Sequence, residues 1–94
     1  METVPLVLES EWAYDYYDIR FDFEKLLLAN APLKVMVFQD GGHDTKEELF
    51  SKLIAGINEF IHGGFGIYIL VCYQQSQGRF EVRKITKEPN AGPM

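Results

Sequence analysis

Two glutamates, Glu9 and Glu11, stand one residue apart at the end of the first apolar run of the sequence, in PLVLESEW. Residues two apart on a strand point to the same side, so both carboxylates project together if extended backbone continues to Trp12. Paired carboxylate oxygens suit a hard cation such as Mg2+, which is held by one or two carboxylates with water and substrate phosphate completing its shell. Such an ion generates hydroxide from bound water near neutral pH and stabilises charge on a phosphodiester transition state. Acids also alternate on solvated strands that do nothing, so the elements around the pair decide what it means.

The run TVPLVLE, residues 3–9, is rich in Val and Leu and reads as a strand, with Pro5 pushing it toward a sheet edge because proline donates nothing to a ladder. From Asp18, the expected N-cap, the spacing becomes helical through Ile19, Phe23, Leu26, Leu27 and Asn30, and Pro32 forces a stop by Ala31. LKVMVF, residues 33–38, is a nearly continuous apolar run, which fits a central strand covered on both faces. Asp44 with Glu47 reads as a capping box opening a second helix. Its stripe of Leu49, Phe50, Leu53, Ile54, Ile57, Phe60 and Ile61 runs to a stop at Gly63 and Gly64. GIYILVCYQ and RFEVRKI then flank QSQG as an antiparallel hairpin, with Gly78 left-handed and Phe80 and Val82 on the opposite face from Glu81 and Arg83. The expected fold is α/β, a small mixed sheet with two helices in the order β-α-β-α-β-β, forming one domain over residues 1–87 with a flexible tail at 88–94.

A strand ending in E-x-E, followed by a helix carrying DFEKLLL and then the apolar strand LKVMVF, resembles the central part of the restriction-endonuclease-like, or PD-(D/E)XK, superfamily over residues 6–38. The resemblance implies a nuclease core in which Glu9 is the acidic metal ligand and Glu11 stands where most members carry lysine. Lys25, on the following helix, becomes the candidate for the displaced positive charge. It also implies Mg2+ as cofactor, DNA as partner, and descent from phosphodiester hydrolysis, with weak or no activity in this chain. The family's further metal-binding aspartate lies on a strand upstream, behind an N-terminal helix, and only eight residues precede Glu9 here. Loss of that part would leave the first strand as an exposed edge, which recruits another chain, so a homodimer or higher oligomer is expected through the acidic N-terminal region. The other reading of the same features is a non-catalytic interaction and oligomerisation module.

Composition narrows the alternatives. The 94 residues suffice for one core, and 47% hydrophobic with 24% charged residues is the balance of a globular chain. No apolar run approaches the roughly 20 residues that cross a bilayer, and the N-terminus lacks a secretory pattern, so a cytoplasmic protein without a membrane span is expected. The net charge of −5 opposes non-specific binding to a polyanion, although half of the fourteen acids fall in the first 24 residues while Arg79, Arg83, Lys84 and Lys87 cluster late. The single Cys72 sits in an apolar run and reads as a buried thiol. Trp12, Tyr14, Tyr16 and Tyr17 read as packing or interface residues, because their acidic neighbours do not suit a nucleic-acid groove. His43 has no second imidazole or thiol nearby and reads as a surface residue, and His62 reads as a partner for the C-terminal dipole of its helix. HGGFG follows a helix and precedes a strand, the reverse of a phosphate-binding loop, and is a helix stop.

Overall fold

The structure, a computed structural model, describes residues 6–13, 15–29, 31–60 and 63–88. The expectations for Pro5, Tyr14, Asn30, Ile61, His62 and residues 89–94 of the tail lie outside the described residues. Six elements follow in the expected order: β1 (Leu6–Ser10), α1 (Tyr16–Leu28), β2 (Leu33–Gln39), α2 (Lys46–Glu59), β3 (Gly66–Gln74) and β4 (Arg79–Lys87). They form an α/β unit with one mixed sheet of order β1-β2-β3-β4, in which β1-β2 and β2-β3 are parallel and β3-β4 antiparallel. Among the described residues no helix is long and apolar enough to cross a membrane.

Each helix links neighbouring parallel strands laid down in the same direction, and right-handed crossovers then put both helices on one side of the sheet. A single core results between that side and the helices. It joins Ile19, Phe23 and Leu26 of α1, Leu49, Phe50, Leu53 and Ile57 of α2, Met36 and Phe38 of β2, and Tyr68, Leu70 and Cys72 of β3.

Both helix starts differ from the sequence reading. Asp15, not Asp18, caps α1 by accepting from Tyr17 N at 2.9 Å. Tyr16 packs against the core beneath the Lys52 ammonium, 4.6 Å from its ring, and this tertiary contact extends the helix beyond what intrinsic propensity favours. In α2 the capping box is Thr45 with Glu48, one residue later than Asp44 with Glu47. Thr45 Oγ1 accepts from Glu48 N at 3.2 Å, and Glu48 Oε1 accepts from Thr45 N at 2.8 Å. Asp44 is engaged by Lys52 at 3.0 Å instead. The α2 helix ends at Glu59, before the expected glycines. Gly64 has a separate role: its φ of +69° and missing Cβ make room for the Tyr68 hydroxyl, which would stand 2.9 Å from a Cβ there. The hairpin closes as expected, with Gly78 at φ +64° and its N–H donating to Gln74 O.

The largest departures concern the other side of the sheet. β2 is covered on one face only: Lys34, Met36 and Phe38 lie under the helices, whereas Leu33, Val35 and Val37 look out from the side without helices. β4 turns its apolar face away from the helices, although a strand with one face exposed ordinarily turns its apolar face inward. Phe80 and Val82 are exposed on the helix-free side, and Glu81 and Arg83 turn toward α2. There Lys46 meets Glu81 at 2.7 Å, Arg83 meets Glu47 at 2.7 Å and Glu81 at 2.8 Å, and the guanidinium lies 4.3 Å from the Phe50 ring. Registration across the sheet sets the helix-free rows as Leu6-Leu33-Ile67-Thr86, Leu8-Val35-Ile69-Lys84 and Ser10-Val37-Val71-Val82, closed by Gln39-Tyr73-Phe80.

The cap assignment has a direct test in urea unfolding. Thr45→Ala is expected to lower stability by about 1 kcal/mol, because it leaves an N-terminal donor of α2 without its acceptor, while Asp44→Ala changes stability by less than about half of that.

Candidate functional site

The strand β1 ends at Ser10, but the ladder continues one residue further, with Glu11 N donating to Val37 O at 2.9 Å. Glu9 and Glu11 therefore stand on one side of an extended segment, the helix side, and both are half-buried. Glu11 Oε2 also accepts from Ala13 N at 2.9 Å, which turns the chain out of the strand toward α1. This is the carboxyl end of the parallel strands, where open α/β sheets leave a crevice for ligands.

The helix α1 runs back along β1 and brings two more charged groups to the pair. Lys25 Nζ donates to Asp22 Oδ1 at 3.0 Å, one turn away on the same helix face. That hydrogen bond, and then the negative charges of Asp22, Glu9 and Glu11, hold the lysine pKa above its ordinary value. The Asp22 carboxyl is pulled below its ordinary value, first by the hydrogen bond from Lys25 and then by a hydrogen bond shared with Glu11. The one ion pair here is thus Lys25 with Asp22, and the charges of Glu9 and Glu11 act on the ammonium from beyond ion-pair contact. Of the sequence candidates, Glu9 and Glu11 lie near enough to Lys25 for their charges to act on it, and Asp22, which the sequence reading did not single out, is the residue that pairs with it. The i,i+3 spacing of Asp22 and Lys25 was the available signal.

In donor chemistry, Glu9 and Glu11 offer hard carboxylate oxygens, the type of ligand that a hydrated Mg2+ ion takes. Among the described residues no three His, Cys, Asp or Glu side chains are grouped so as to hold a metal by themselves. Any cation here would therefore complete its shell from water and substrate.

The remaining candidates separate cleanly. Cys72 is fully buried, and burial pushes its thiol up to about 11, so it stays protonated at neutral pH. His43 is exposed in the loop before α2. Trp12 meets the Tyr73 ring edge-on at 6.4 Å, and Tyr73 in turn lies 5.1 Å from Phe80, so this tryptophan belongs to the helix-free side of the sheet. The dipole partner of α2 is Lys87, reaching from β4 to Ile57 O at 2.7 Å and to Phe60 O.

At the opposite end of the sheet a lysine is buried. Lys34 is 1% exposed, and its ammonium donates to Tyr68 Oη at 3.4 Å, while Tyr68 donates to Gly64 O at 2.5 Å. Among the described residues no ion pair involves Lys34. Burial first, and the nearby Lys87 second, push its pKa below the ordinary lysine value; burial alone raises Tyr68 to about 12. A cavity of about 750 Å³ opens beside it, walled by Leu27, Leu28, Phe60 and Phe65.

Compared with known proteins, the chain matches no family model, no curated protein and no solved structure.

Lys34 yields a signed prediction. Its folded pKa lies below its unfolded value, so the unfolded chain binds the extra proton and stability rises with pH as the unfolded value near 10.5 is approached. Lys34→Met is expected to stabilise the protein by about 1–2 kcal/mol at neutral pH. In paired urea titrations the gap between variant and wild type narrows toward about pH 10.

Proposed function

We propose that this chain is the core of a restriction-endonuclease-like phosphodiesterase, in which Glu9 and Glu11 are the ligands of a hydrated Mg2+ and Lys25 is the auxiliary cation. What supports this reading is the return of α1 along β1, which puts Lys25 and Asp22 beside the two glutamates at the carboxyl end of the sheet. An acid pair with a lysine beside it is the charge pattern that the superfamily uses, and here the positive member comes from the helix instead of from the strand. When bound, the metal supplies activated water and neutralises charge on the phosphodiester. The chain's own groups do the rest: the two glutamates fix the cation, Asp22 orients the Lys25 amine, and the raised pKa keeps that amine charged near a phosphate oxygen. Turnover on DNA is expected to be slow, because a net charge of −5 opposes the approach of a polyanion.

A second reading, a protein-interaction and oligomerisation module, is favoured by a different observation: the apolar side of the sheet that carries no helix. The two are compatible, because Glu9 and Glu11 stand on the helix side of the sheet and the apolar surface lies on the other side.

Calorimetric titration with Mg2+ and with Mn2+ tests the first reading. One site is expected in the wild type, lost in Glu9→Gln with Glu11→Gln. Metal-dependent nicking of supercoiled DNA is expected to fall at least about tenfold in Lys25→Met. Absence of metal uptake by the wild type, or unchanged uptake by the double variant, sinks the assignment.

A further inference from the structure

The side of the sheet facing away from the helices is mostly apolar, with its polar residues Ser10, Gln39, Lys84 and Thr86 at the margins. At its middle are the β-branched Val35, Val37, Ile69 and Val71, on the two central strands. Leu8 on one edge strand and Phe80 and Val82 on the other are 53%, 55% and 58% exposed. The rings of Trp12, Tyr73 and Phe80 form an aromatic strip along one end. Parallel strands that are apolar on both faces occur almost only where both faces are covered. Here one cover is provided by α1 and α2, and the described residues contain no second one.

We propose that a second copy of this chain covers this face, the two sheets packing face to face across a two-fold axis. The proposal rests on the interaction-module reading and names its partner. Three features select a copy of the same chain over a partner of different chemistry. The first is shape, because rows of β-branched side chains on a continuous sheet make a broad surface of the kind that packs against another sheet at about 10 Å, whereas a single docked helix would cover only part of its width. The second is charge. The protein carries −5 overall, yet no acid stands in the helix-free rows, where Lys84 is the one charged residue and lies on an edge strand. Two copies therefore meet without carboxylate repulsion, and the lysine stem lies along the rim with its ammonium in water. A basic partner would find no carboxylate on this face to pair with.

The third is size. Four strands spaced about 4.8 Å apart and four rows about 6.8 Å apart give a planar face of roughly 450 Å² per copy. Two such faces together with the Trp12 rim bury about 1,000 Å² in a dimer, the least area expected of a biological interface. An isologous contact of that size belongs with the weak, reversible interfaces.

Sedimentation velocity of the wild type from about 1 to about 200 μM, compared with Ile69→Lys at the centre of the face and Val82→Lys at its rim, is the test. Both substitutions point away from the core, and far-UV circular dichroism checks that each variant folds; Val82→Lys carries the result if Ile69→Lys does not. A wild-type dimer that becomes a monomer in the folded variant supports the proposal. A dimer untouched by these substitutions but broken by Leu8→Pro, which removes an outward-pointing N–H from the free edge of β1, overturns it in favour of edge pairing. A wild type that stays monomeric also overturns it, and a hydrophobic dye then decides the fate of the broader reading. Dye bound by the wild type and lost in the lysine variants leaves the face as a contact surface for another protein, whereas no dye binding removes the interaction module as well.

Discussion

Two right-handed crossovers in succession, each between neighbouring parallel strands, govern this structure. Because the strands are laid down in one direction, both helices fall on the same side, and the chain reaches a two-layer α/β arrangement with a single core. The apolar residues of β2 and β3 are too continuous for that arrangement. Their side chains on the second face remain at the surface, and the edge strands carry the same pattern outward with Leu8 on β1 and Val82 on β4. One topological fact thus makes the interior of the protein and its bare face together.

The same crossover brings Asp22 and Lys25 of α1 back toward the end of β1. A helix that must run back along the strand it has just left brings its own i,i+3 pair alongside the strand end, so Glu9 and Glu11 acquire Asp22 and Lys25 as neighbours. Depth then sets what each lysine does. Lys25 lies at the surface among carboxylates and gains proton affinity, whereas Lys34 lies under the helices with a phenol for company and loses it. Lys87 spends its charge on the carbonyls that end α2.

Much of this was legible in the chain. The six elements and their order follow from local signals: runs of Val, Ile and Leu, the helical stripe from Leu49 to Ile57, Pro32 and Gly78. The co-location of Glu9 and Glu11 follows from strand parity alone. Less legible were the features decided by what a residue meets. Asp15 displaces Asp18 as cap because Tyr16 finds the core, and Thr45 displaces Asp44 because Lys52 engages the aspartate. The recruitment of Asp22, and of Lys87 as the dipole partner of α2, depends on contacts between elements far apart in the chain, for which no local pattern exists.

Alternation shows the division most plainly. The sequence by itself determined that β4 has an apolar face and a charged one, since a period of two is a property of extended backbone. Which face turns inward was decided only by tertiary structure. Glu81 and Arg83 turn in because Lys46, Glu47 and the Phe50 ring on α2 neutralise and cover them, and Phe80 and Val82 turn out to join Tyr73 and Val71. Periodicity specifies a difference between two sides, and only the position of the helices assigns one of them to the core.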